Sequence, residues 1–243
     1  MEYNRDAWTA GDYGEFLASL KDMAEDGYRQ FHSRLIPGTQ KVMGIRVPAL
    51  RRIAREILKG NYREFLRCPI GDYHEERIIE GLVIAGKKCD FPELFSDYKY
   101  FCGRILNWAV CDTVSFKGIK KYRPQFWAET EELLSSDDPW CIRKTLGTMM
   151  EFYLDAEYIN GVLEKTAAVC SDLYYVQMMQ AWLLATALAK CREETLSFLH
   201  HAALSATVWR MTAQKVRDSL RISREDKEEV SALAVRLSRG IPL

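Results

Sequence analysis

Apolar residues recur along this chain three and four positions apart, the spacing of a helix that buries one face. The strict alternation of a half-buried strand is almost absent. Residues 12–26 are the first such stretch, with Phe16, Leu17, Leu20 and Met23 on one stripe and Gly27 as the expected stop. A short helix carrying Tyr28, Phe31 and Leu35 follows, and Pro37-Gly38 breaks it. Val47 precedes a proline and is held extended, whereas Pro48 suits the first turn of a helix. That helix turns Leu50, Ile53 and Ile57 inward and Arg51, Arg52 and Arg55 outward.

Beyond this irregular region, about residues 1–70, the pattern repeats. Asp72, Asn107, Asp138, Asp172 and Thr207 each precede an apolar run and are expected to cap a helix N-terminus. The intervals between these starts are 35, 31, 34 and 35 residues, the period of a helical-hairpin solenoid. Each start opens a pair: the helix from Asp72 with 91–105, that from Asn107 with 124–134, and that from Asp138 with 156–169. The helices at 174–190 and 193–204, then 208–220 and 224–239, complete the series. No linker rich in proline, glycine or serine interrupts it. The expected fold is therefore all-α, an α-α superhelix (solenoid) of helical repeats, in one domain over residues 1–243 with regular pairs from about 72 to 239.

In such a solenoid the first helices of successive pairs line one face. That face is expected to carry Trp108, Asp112, Arg143, Lys144, Trp182, Arg210 and Lys215. Trp108 and Asp112 are four residues apart, so on a helix an indole stands beside a carboxylate. Taken singly, each residue has an ordinary structural alternative. Trp108 and Trp182 suit a core, Asp112 suits a cap or an ion pair, and the arginines near residue 51 suit a solvated surface. Arg143 near a helix start opposes the helix dipole, and an anionic partner would compensate it.

Composition narrows the classes. Lysine plus arginine and aspartate plus glutamate each total 34, so the formal net charge is zero. That argues against non-specific coating of nucleic acid and leaves a local basic face open. No apolar run is long enough to cross a membrane, and the polar start Met1-Glu2-Tyr3-Asn4 argues against a secretory signal. Seven scattered cysteines with no CxxC pair read as reduced thiols of a cytoplasmic protein. His200 and His201 are adjacent and point apart on a helix, which does not suit a metal site.

Several segments together carry a family resemblance: Gly44-Ile45-Arg46-Val47-Pro48-Ala49-Leu50-Arg51-Arg52, Asn107-Trp108-Ala109-Val110-Cys111-Asp112, Trp140-Cys141-Ile142-Arg143-Lys144, Gln180-Ala181-Trp182-Leu183 and Trp209-Arg210-Met211 followed by Lys215-Val216-Arg217. In that order and spacing, from about residue 40 onward, the chain resembles the AlkD-like DNA alkylation repair family of HEAT-like repeat glycosylases. The resemblance implies hydrolytic removal of N3- and N7-alkylated purines from duplex DNA held in a groove, without deep base flipping. It implies no metal or organic cofactor, and the protein is expected to act as a monomer. It matches the family's catalytic tryptophan and aspartate to Trp108 and Asp112, its arginine to Arg143 and its second tryptophan to Trp182. Lys144, Arg51, Arg52, Arg210 and Lys215 are expected to add contacts to the DNA backbone. Ala109 stands where the family often has a second acid, and Lys144 where it commonly has a second arginine. The rival readings are a non-catalytic module that binds a protein partner and a DNA-structure binder without chemistry.

Overall fold

The computed structural model describes residues 2–36, 41–71 and 73–238, with backbone alone at 237 and 238. Among them the chain is helical, with no strand beyond one isolated bridge between Lys41 and Tyr73. The first helices are α1 (Ala10–Lys21), α2 (Asp26–Leu35), α3 (Val47–Ile57), α4 (Tyr62–Phe65), α5 (His74–Gly86), α6 (Phe91–Cys102) and α7 (Trp108–Thr113). A 3-10 helix (Lys117–Lys121) leads to α8 (Arg123–Leu134) and α9 (Pro139–Phe152). The series ends with α10 (Ile159–Ala168), α11 (Tyr174–Lys190), α12 (Arg192–Leu199), α13 (Ala206–Asp218) and α14 (Arg224–Ser238). The all-α repeat class read from the periodicity holds. Two compact units, Met1–Phe126 and Trp127–Leu243, divide inside α8.

Side-chain caps set several of the helix starts, and some differ from expectation. Asn107 and Asp138 cap α7 and α9 as their sequence positions predict. Asp172 does not cap α11: its N-cap is Leu173, which offers no side-chain acceptor. Thr207 lies inside α13, whose cap is Ser205, the hydroxyl of which accepts from Val208 N–H at 3.2 Å. A rival cap two residues upstream thus claims the start. Gly27 falls in the first turn of α2 rather than ending α1, which opens with a capping box between Thr9 and Asp12 and stops at Lys21, with Asp22 as its C-cap. The expected breaks at Pro37-Gly38 and the expected cap Asp72 lie outside the described residues.

In the first unit Trp8, Tyr13, Phe16 and Phe65 form an aromatic cluster with centroids 5.0 to 6.2 Å apart. The central helix is α5, which packs against α3, α6 and α7. It buries three carboxylates, Glu75, Glu76 and Glu80. Glu75 accepts the backbone N–H groups of Met43, Gly44 and Ile45 at 2.9, 2.8 and 3.3 Å. Gly44 sits at φ 93°, and a Cβ there would come within 2.7 Å of the Glu25 carbonyl oxygen. Glu76 accepts from Gly71 and Tyr73 N–H at 3.0 Å each and from the Tyr13 hydroxyl. Glu80 pairs with Arg77 at 3.1 Å and Arg104 at 3.4 Å. Burial raises the Glu80 pKa, and Arg77 opposes that rise.

Gly81 lets the neighbours of α5 approach it closely. A Cβ at that position would lie 2.3 Å from a Phe101 ring carbon and 2.8 Å from Val114, the residue that follows α7. In the second unit α9, α11 and α13 lie side by side, with α10 and α12 against α11 and α14 against α13. Within that unit the first helices of the pairs do form one layer. Leu188, Leu199, Trp209, Val216, Val230 and Leu233 belong to its core.

Two stability effects follow. Glu75→Ala leaves three buried N–H groups without an acceptor, at about 1–3 kcal/mol each before water or relaxation compensates. A loss of about 3–5 kcal/mol is therefore expected in urea unfolding followed by helical circular dichroism. Gly81→Ala is expected to cost about 1–3 kcal/mol by overpacking.

Candidate functional site

Helix α7 is six residues long, and its order comes from its ends. The Asn107 side-chain oxygen accepts from Ala109 and Val110 N–H, both at 3.0 Å. Val114, in extended conformation, ends the helix. Ala109, Val110 and Cys111 are buried, whereas Trp108 and Asp112 are half-buried. The i, i+4 pair therefore shares the side of α7 that reaches the surface, as its spacing predicts. The Trp108 indole N–H donates to the Leu35 carbonyl, the last residue of α2, at 2.9 Å. Leu35 and Phe31, one turn apart on α2, are 46% and 60% exposed. Solvent-exposed apolar side chains thus accompany the indole on its α2 side.

Arg51, Arg52 and Arg55 are exposed on α3. The Arg51 guanidinium lies 3.5 Å from the Thr113 carbonyl, at the outer limit of a hydrogen bond, which brings it to the C-terminal end of α7. One cationic side chain, Arg51, consequently reaches the helix that bears Trp108 and Asp112.

Behind α7 lies a buried polar layer that the sequence reading did not single out. Asn107 and His74 are fully buried, and the Asn107 amide nitrogen is 3.3 Å from His74 Nδ1. The His74 ring meets His32 of α2 edge to face, with centroids 5.0 Å apart at 86°. His32 Nδ1 and His74 Nε2 have no hydrogen-bond partner. Burial, with His32 adding to it, lowers the His74 pKa to about 3, and burial lowers that of His32. The available signal was a histidine and two glutamates, His74-Glu75-Glu76, at the head of a helix whose other residues, Arg77 and Glu80 apart, are apolar or glycine.

In the second unit α11 is buried on most sides. Gln180 donates to the Thr166 and Val169 carbonyls at 2.8 and 3.0 Å, which fixes α11 against the end of α10. Trp182 is 40% exposed on this helix, so its apolar neighbours do not draw it into the core. It continues a surface row with Tyr174 and Met178, four residues apart each time. Trp140 lies 5.3 Å from Tyr175.

Arg143 and Lys144, expected on the solvent side, are buried at 4% and 6% exposure. Arg143 donates to the Tyr175 carbonyl at 2.6 Å, and its guanidinium lies 6.0 Å from that ring. A backbone acceptor on α11 holds the guanidinium inward, where the repeat period suggested a place on the ligand-facing layer. Arg210 is exposed and lines a cleft of about 420 Å³ between α13 and α14 with Arg217, Thr207 and Ser231. Lys215 is half-buried on α13. A second cleft of about 510 Å³, lined by Glu131, Ile142, Glu164, Lys165 and Cys170, contains none of the expected site residues. Among the described residues no group of three or more potential ligands could hold a metal ion. No described helix is long and apolar enough to cross a membrane.

The profile of one protein family, described as DNA alkylation repair enzyme, matches residues 16–221. That span holds α7, α9, α11 and α13, the helices bearing every expected site residue, together with α3. The chain belongs to the DNA alkylation repair enzyme family. No curated protein and no solved structure matches it significantly.

The buried histidines set a pH dependence of stability. Both are held neutral in the fold, whereas an unfolded histidine titrates near pH 6.5. Below that pH the unfolded chain binds more protons, so stability present above pH 6.5 is lost as pH falls toward 3. His74→Phe should flatten this fall by up to about 1.4 kcal/mol per pH unit, measured by urea unfolding between pH 6.5 and 4.

Proposed function

We propose that this DNA alkylation repair protein is a glycosylase that hydrolyses the N-glycosidic bond of N3- and N7-alkylated purines in duplex DNA, without drawing the damaged base into a deep pocket. The observation that carries this reading is the half-buried Trp108–Asp112 pair on the surface side of α7, whose C-terminal end Arg51 of α3 reaches.

The chemistry suits these groups. An alkylated purine is already cationic and leaves when the C1′–N bond breaks, with the bonding electrons neutralising the base. The sugar is left as an oxocarbenium-like cation. Asp112 stabilises that charge and orients the water that attacks C1′ and then loses a proton. No protein proton donor is required, because the leaving base is already activated. The faces of Trp108 and Trp182 favour a cationic sugar or base. Arg51, Arg52, Arg210 and Lys215 supply contacts to phosphates, independent of sequence. Arg143 and Lys144, set inward, contribute through their field. The reaction uses no metal or organic cofactor.

The zero net charge favours a second reading, a DNA-structure binder with no excision. The two readings separate on base release from duplex DNA containing N7-methylguanine at low salt, where backbone contacts are strongest. Release by the wild type is expected, with a loss of about a hundredfold or more in Asp112→Asn and little change in duplex affinity. Duplex binding with no release by either protein would favour the binder. Arg52→Ala should weaken binding to all sequences alike and reduce the slope of log affinity against log salt by about one.

A further inference from the structure

The side chains behind α7 form a closed circuit. The Asn107 oxygen is occupied by two N–H groups of α7, so the nitrogen is the atom turned toward His74. An amide nitrogen only donates, so His74 Nδ1 accepts, and the ring carries its proton on Nε2. His74 belongs to α5, and its ring packs on His32 of α2. Three residues after His32, Leu35 accepts the Trp108 indole N–H. One path therefore fixes the backbone of α7 at Asn107, and the other fixes the side chain of its first residue.

We propose that His74 is a positioning residue: by accepting from Asn107 it orients the amide that starts α7, and so sets where Trp108 and Asp112 stand. The catalytic consequence rests on the glycosylase reading above. A bare helix cap does not require this arrangement. Serine caps a helix as well as asparagine does but is too short to reach His74. A fully buried imidazole with its other nitrogen unpartnered is a costly acceptor unless its orientation matters. Its low pKa keeps the accepting lone pair available across the neutral range, since a protonated ring would set an N–H against the amide N–H.

Three substitutions in the full-length protein test the circuit. His74→Asn places a carboxamide oxygen where Nδ1 stands, His74→Phe fills the space without an acceptor, and Asn107→Ser retains a cap without the link. Three quantities are measured: single-turnover release of N7-methylguanine, duplex Kd, and the ¹⁵N–¹H indole resonance of Trp108, assigned with Trp108→Phe. His74→Phe and Asn107→Ser should slow release by about ten- to a hundredfold, the scale of a misplaced group, and leave Kd within about twofold. In both the Trp108 resonance should move. His74→Asn should restore the rate to within about threefold of wild type and return the resonance.

An unmoved resonance and unchanged rate in Asn107→Ser would overturn the proposal, and so would a loss in His74→Asn as large as in His74→Phe. If His74→Phe does not fold, Asn107→Ser and His74→Asn decide the matter. If the wild type releases no base, the glycosylase reading fails. The resonance alone then decides whether His74 sets the position of Trp108.

Discussion

The first unit depends on carboxylates buried out of reach of bulk solvent. Glu75 is fully buried, and its charge is tolerable because three successive backbone N–H groups converge on it. That requirement fixes the 43–45 segment, including the left-handed turn at Gly44, and with it the approach to α3. Glu76 makes the same demand on 71–73 and on Tyr13 of α1. Elements distant in sequence are thereby tied to one helix by directional contacts, which a purely apolar interface would leave freer to slide. Gly81 and His74 extend α5's influence to α7, one by close approach at Val114 and the other through Asn107.

The two candidate aromatic sites obtain their surface position in opposite ways. Trp108 stands on a helix too short to be stable alone, so its order is borrowed from the caps and tethers around it. Trp182 stands in the middle of a 17-residue helix hemmed in on most sides, and it is exposed because one strip of α11 is left uncovered. In chemical terms the first indole is held by directional bonds and the second by the rigidity of its support.

The sequence made the repeat period legible because each pair must bury an apolar stripe of fixed spacing. Asn107 and Asp138 were readable as caps, and the shared face of Trp108 and Asp112 followed from their spacing, whereas its reaching the surface did not. Other features needed tertiary information. Ser205 takes the role expected of Thr207 because several nearby hydroxyls could begin the same helix. The repeat period placed Arg143 on the ligand-facing layer, yet its acceptor is a carbonyl 32 residues away that no local pattern reveals. Trp182 sits in an apolar run that reads as core, and only the packing of neighbouring helices shows which strip stays open. The His74–Asn107 contact spans 33 residues and has no periodic signature at all.

The burial of Cys111 has a consequence for a protein of this family. Its thiol lies between Trp108 and Asp112 in sequence but is 1% exposed, on the inward side of α7. Electrophiles that alkylate DNA also attack thiols, and a thiol that solvent cannot reach escapes them while the helix stays closed. Cys170 is exposed and has no such shelter. Under alkylating stress Cys170 should therefore be modified before Cys111, and α7 should keep its own thiol unmodified while the helix stays closed.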